Sequence, residues 1–257
     1  MEDKYNNKFK TVGILGGMGP EATASLYLEI VKIFQKKFNA KYDKDFPPFF
    51  IYSSPIPDVV ENQFNEEILI KLLQEGAKKI ESAGANFMVV ACNTVQKYLP
   101  KIREVLNIEI LSIQKETILE AKKRCYKKVG LLSTENTIRS KVYNTESKLL
   151  NVEIIYPNKK QQTEITSVIM KILSGKKTLS DKVKLIEISL DLQNKGAEAI
   201  ILGCTDLPLI LQKDDTELEL LDTTKILAQA CVRESLFEAS KTYISKTIND
   251  NQEDISR

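Results

Sequence analysis

Cys92 and Cys204 stand in matched settings in a chain that has four cysteines and no histidine. Each closes a short apolar run, NFMVVA (86–91) in one case and AIIL (199–202) followed by Gly203 in the other. Each run follows a Gly-Ala pair, and Gly84 precedes Cys92 by eight residues, as Gly196 precedes Cys204. A thiol at the carboxyl end of a parallel strand sits where open α/β sheets bind ligands. A helix beginning just beyond it would offer N–H groups and a dipole that bind an anion and lower the thiol pKa. Two such thiols facing each other across a cleft suit one reaction in particular. One thiolate removes a proton from a carbon, the other thiol returns a proton to the opposite face, and the centre is inverted. Asn93, Thr94 and Thr205 add amide and hydroxyl groups suited to a small carboxylate. A lone cysteine reads more simply as a small buried residue; the matched settings are what outweigh that reading here. Cys125 and Cys231 have no such setting and read as structural.

The missing histidine removes the Ser-His-Asp triad, the Cys-His dyad and histidine-ligated zinc from consideration. Proton transfer near neutral pH then falls to a shifted carboxylate, lysine, tyrosine or cysteine. The cysteines form no CxxC pair, which argues against a cysteine-only metal site or a disulfide framework, so no metal is expected and the cytoplasm is the expected location. The 257 residues carry 37 Lys+Arg against 35 Asp+Glu, a net charge of +2 that gives no reason to expect nucleic acid as a partner. The opening MEDKYNNKFK is polar, and no apolar run approaches the length of a membrane span, so no membrane partner is expected either.

The elements that must position the thiols occur twice. TVGILGG (11–17) is answered by KVGLLST (128–134), and AGANFMVVAC (83–92) by KGAEAIILGC (195–204). The offsets between copies are 117 and 112 residues. Each cysteine strand follows an amphipathic segment, 66–82 with Ile68, Leu72, Ala77 and Ile80 at helical spacing, and 181–194. A further strand is expected over 49–54, and a helix over 17–34 with Pro20 in its first turn. Strands alternating with helices predict α/β architecture: two similar, doubly wound parallel-sheet domains related by a pseudo-twofold, with the active site in the cleft between them. The first domain takes residues 1–112 together with a closing helix in 222–257, capped by Asp222 or Thr223; the second takes 113–221.

GMGPEA (17–22) also fits a relaxed dinucleotide fingerprint, with Asp43 or Asp45 as its acidic partner. Pro20 and the distance to the next strand weaken that match, and the loop serves better as a nest of N–H groups closing over a carboxylate.

Three motifs, GILGGMGPEAT (13–23), VVACNT (89–94) and ILGCTDL (201–207), with LDTTKILA (221–228) as a weaker fourth, resemble the aspartate/glutamate racemase family. The resemblance spans almost the whole chain. It implies two α/β domains, a homodimer, a small amino-acid substrate, and catalysis with neither pyridoxal phosphate nor metal. By motif match it makes Cys92 and Cys204 the catalytic thiols, gives Asn93, Thr94 and Thr205 the α-carboxylate, and lines the pocket with Gly17, Met18, Ser133 and Thr134. Three departures stand out. Gln96 replaces a histidine found in many members. Val59 follows PIPD where aspartate-specific members carry an arginine for the second carboxylate, with Gln63 as a polar substitute. A lysine of the second domain is matched only loosely by Lys159 or Lys160. The expected activity is racemisation of a small amino acid, aspartate or glutamate foremost. The alternatives are a related isomerase or decarboxylase of small dicarboxylic acids, and a binding protein that keeps the racemase fold.

Overall fold

The computed structural model describes residues 9–60 and 65–236. In chain order these contain β1 (Val12–Gly16), α1 (Pro20–Phe38), β2 (Phe49–Ser53), α2 (Glu66–Ser82), β3 (Phe87–Val90), α3 (Leu99–Arg103), β4 (Glu109–Leu111) and α4 (Ile113–Lys123). The second half continues with β5 (Lys128–Leu132), α5 (Glu135–Arg139), α6 (Asn144–Leu150), β6 (Glu153–Ile155), α7 (Lys159–Leu173), α8 (Leu179–Asn194), β7 (Ala199–Leu202), β8 (Leu220–Asp222) and α9 (Thr223–Ser235). The strands form two wholly parallel sheets of the same topology, β2-β1-β3-β4 and β6-β5-β7-β8. The two parallel-sheet α/β units are those predicted from the repeat; the strand order they share comes from the structure. Cys92 follows β3 and Cys204 follows β7, the equivalent inner strands.

The inner strands β1, β3, β5 and β7 are buried on both faces because helices cover both. In the first sheet, Val12, Ile14, Phe87 and Val89 pack with Leu26, Ile30 and Phe34 of α1 and with Leu227 and Cys231 of α9. The alternate residues Leu15, Met88 and Val90 pack with Leu69, Leu73 and Ala77 of α2. The second sheet does the same, with Leu132, Ile200 and Leu202 against α7 and α8, and Val129, Leu131 and Ile201 against Ile118 of α4 and Tyr143. Full burial of each such aliphatic side chain contributes about 1.5–3 kcal/mol. Helix α9 leaves the second sheet directly from β8 and packs on α1, with Asp222 as its cap accepting from the N–H groups of Thr224 and Lys225. The remainder of the segment expected as a closing helix lies outside the described residues.

The matched Gly-Ala turns have a backbone cause. Gly84 (φ +103°) and Gly196 (φ +99°) end α2 and α8 in left-handed conformations that let the chain reverse into β3 and β7. Helix α2 runs over 66–82 as predicted, but its buried stripe is Leu69, Leu73, Gly76, Ala77 and Ile80. Ile68 is exposed and Leu72 half-buried, so the apolar face is turned from the one the spacing predicted. Among the described residues, no helix is long and apolar enough to cross a membrane.

Candidate active site

The segment after β3 is held by side chains rather than by a long helix. Gln96 donates from Nε2 to the carbonyls of Val90 (3.2 Å) and Cys92 (3.1 Å), and its Oε1 accepts from the N–H of Ile113 at 3.3 Å. Gln114 Nε2 donates to the Asn93 carbonyl at 3.1 Å. Asn93 then ties the halves together. Its Nδ2 donates to Thr223 Oγ1 at 3.1 Å, Thr223 Oγ1 donates to the Leu202 carbonyl at 2.8 Å, and the Tyr143 hydroxyl donates to Asn93 Oδ1 at 2.6 Å. One amide hydrogen of Asn93 is left for anything entering the site. Thr94, Thr134 and Thr137 bring their hydroxyls together in a buried triangle with separations of 3.0, 3.2 and 3.0 Å.

Both thiols are buried, Cys92 at 5% and Cys204 at 7% exposure. Burial pushes the Cys92 thiol up to about 11, with the N–H groups of Val95 and Thr94 pulling the other way. Cys204 is raised well above the ordinary thiol range, first by burial and then by the Asp206 carboxylate. Its Sγ–H donates to Asp206 Oδ2 at 3.5 Å. Asp206 is 4% exposed, and burial lifts its carboxyl to about 6. The expectation that helix N-termini would depress both thiols is therefore corrected. The turns that follow are short 3-10 segments, Thr94–Tyr98 and Leu207–Leu209, and a few N–H groups do not offset the loss of water around a buried thiolate.

The two sulfurs line one cavity of about 130 Å³. That is well below the ~300–1,000 Å³ of clefts that take drug-sized ligands, and it fits a small metabolite. The first half contributes Gly17–Pro20, Ile56–Val60 and Cys92–Thr94; the second contributes Thr134, Leu173 and Cys204–Asp206. The halves meet closely here: Asp206 Oδ1 and Leu173 Cδ2 lie 3.0 Å from where a Cβ on Gly19 would stand. At the rim, Lys177 reaches Glu21 of α1 across 3.4 Å.

The sequence profile of the Asp/Glu/hydantoin racemase family matches residues 15–231. The chain belongs to that family. A broad specificity amino-acid racemase, RacX, of Bacillus subtilis (strain 168) is 30% identical over 221 residues, covering 86% of this chain and 96% of that protein. Among solved structures, an aspartate racemase homologue from Pyrococcus horikoshii OT3 superposes with a TM-score of 0.74 at 29% identity, covering 87% of this chain and 98% of the other. Picrophilus torridus aspartate racemase gives a TM-score of 0.74 at 25% identity, covering 91% and 99%. The enzyme class of this member of the Asp/Glu/hydantoin racemase family is amino-acid racemase.

Of the residues singled out in the sequence, Gly17, Met18, Cys92, Asn93, Thr94, Thr134, Cys204 and Thr205 all line the cavity. Ser133 does not. It is fully buried, its Oγ donates to the Thr134 carbonyl at 3.2 Å, and its own carbonyl accepts from Gln162 Nε2 at 2.9 Å. Both residues lie past the end of β5, and it is Thr134, the N-cap of α5, that lines the cavity. Gln63 lies outside the described residues. Lys159 and Lys160 sit exposed at the first turn of α7, whereas it is Leu173, at the opposite end, that lines the cavity. Asp43 and Asp45, considered as dinucleotide partners, lie in a short 3-10 turn that contributes nothing to the cavity lining. Sequence reasoning gave no role to Asp206 or to Tyr143. Asp206 was legible in part, as an acid two residues beyond a strand-end cysteine. Tyr143 lies on a segment with no motif, and only the fold brings it to Asn93.

Proposed function

We propose that the protein racemises a small amino acid without a cofactor, with Cys92 and Cys204 as opposed acid–base groups. The observation that carries this reading is that two buried thiols from equivalent strand ends line one cavity. The hydroxyls of Thr94 and Thr205 and the backbone around Gly17 and Met18 hold the α-carboxylate. One thiolate takes the Cα proton and becomes a thiol. The opposite thiol gives its proton to the other face of the carbanion and becomes a thiolate, so charge and protons balance over the turnover. The raised thiols of the free protein require a change on binding: the substrate's α-ammonium enters as an opposite charge beside the sulfurs and favours the thiolate.

Incubation with single amino acids in D2O tests the reading by following deuterium at Cα together with the opposite enantiomer. Both signals on one substrate are expected, and both should vanish in Cys92→Ser and Cys204→Ser. Full activity in both variants would sink the two-thiol mechanism. A binding protein that holds an amino acid without turnover is the second reading, favoured by how far burial holds both thiols from ionisation. It predicts ligand-induced thermal stabilisation with no deuterium uptake.

A further inference from the structure

The charges around the cavity define the substrate's side chain, on the footing that the racemase reading holds. Two carboxylates, Asp58 and Asp206, line the cavity, and among the described residues no lysine or arginine does. Val59 is one of the apolar residues of the lining. It is 6% exposed, packs with the first-half core, and its carbonyl accepts from Asn136 Nδ2 at 2.6 Å. Lys177, whose charge acts on Asp206, is off the lining and paired with Glu21 at 3.4 Å, and Arg139 reaches Val59 through Asn136. A side-chain carboxylate brought into this space would give up water, find no counter-charge on the lining, and face two groups of its own sign. A neutral side chain instead meets Ile56, Val59, Val60 and Leu173, and a cationic one meets the two aspartates.

We propose that the cavity selects against dicarboxylic amino acids and takes substrates whose side chains are neutral or cationic. Aspartate and glutamate, expected foremost from the family resemblance, are then the poor substrates.

The test compares near-isosteric pairs. The rate of Cα deuterium incorporation in D2O is measured as kcat/KM for L-Asp against L-Asn and L-Glu against L-Gln, with L-Met and L-Lys as further neutral and cationic members. Each amide should exceed its acid at least tenfold, and L-Lys should exceed L-Glu. Exchange on L-Asp or L-Glu equal to or faster than on its amide would overturn the inference while leaving the racemase reading intact. Absence of exchange on every member, from folded and reduced protein, would remove the racemase reading and this inference with it.

Discussion

The Cys204 thiol donates to the Asp206 carboxylate at 3.5 Å inside a shared, buried wall of the cavity, and no carboxylate is among the groups acting by hydrogen bond on Cys92. The two sulfurs are thus unequal in degree. The Asp206 carboxylate opposes ionisation of both, through a hydrogen bond at Cys204 and only through its charge at Cys92. Cys92 has N–H and hydroxyl donors from Val95 and Thr94 where Cys204 has the Asp206 N–H. In Asp206→Asn that opposition disappears, so Cys204 should alkylate faster with iodoacetamide at pH 8 than in the wild type. Peptide mass spectrometry reads each cysteine separately. An unchanged or slower Cys204 rate would mean that the carboxylate acts as a base toward the thiol instead.

Asp206 also makes stability depend on pH. Its carboxyl is raised from 3.8 to about 6, so the folded protein holds that proton more tightly than the unfolded chain. The resulting stabilisation is full below about pH 4 and is lost as pH rises through about 6, amounting to roughly 3 kcal/mol for a shift of this size. An amide in place of this carboxyl cannot ionise, so Asp206→Asn should gain on the wild type in thermal unfolding as pH rises from about 4 to 7. Parallel Tm profiles for the two proteins would contradict this.

Under the proposed two-thiol mechanism, loss of either Cys92 or Cys204 should cost at least about 100-fold in racemisation, the lower range for a positioned acid–base group. Cys125→Ala should keep nearly full activity, since Cys125 is exposed and lies outside the cavity lining. Chiral chromatography of the product decides both.

Tyr143→Phe removes the donor to Asn93 Oδ1 and leaves that oxygen buried. The expected cost is about 1–3 kcal/mol, the penalty for a buried polar atom without a partner. A drop in Tm of several degrees should follow. No change in Tm would show that Asn93 finds another donor and that this bond does not hold the halves in register.

Gln96→Ala takes a donor from the buried Val90 and Cys92 carbonyls and the acceptor from the Ile113 N–H, leaving the Val90 carbonyl to the Cys92 N–H. It should lower Tm more than Tyr143→Phe does, and reduce kcat more than it raises KM, because the residue braces the loop that carries the sulfur. A rise in KM alone would instead place Gln96 in substrate binding.

Much of the fold was legible because it rests on short-range physics. An apolar run of five residues ending in glycine becomes a buried strand, and Pro20 is preorganised for the first turn of a helix. Gly84 and Gly196 supply left-handed turns that most other residues resist. The buried face of α2 was not legible, because Ile68, Leu69, Ile70, Leu72 and Leu73 crowd one stretch and periodicity alone fits two overlapping stripes. The sheet decided between them, since Leu15, Met88 and Val90 meet Leu69 and Leu73.

The sequence by itself determined the two parallel sheets and the placing of Cys92 and Cys204 at equivalent strand ends, properties of residues near one another in the chain. The tertiary structure decided that both sulfurs enter one cavity, that Asn93 meets Tyr143 and Thr223 across 50 and 130 residues, and that burial raises the thiols where local helix ends were expected to lower them. The physical reason is that a local motif sets which donors lie beside a group, whereas exclusion of water around it depends on every element that packs there.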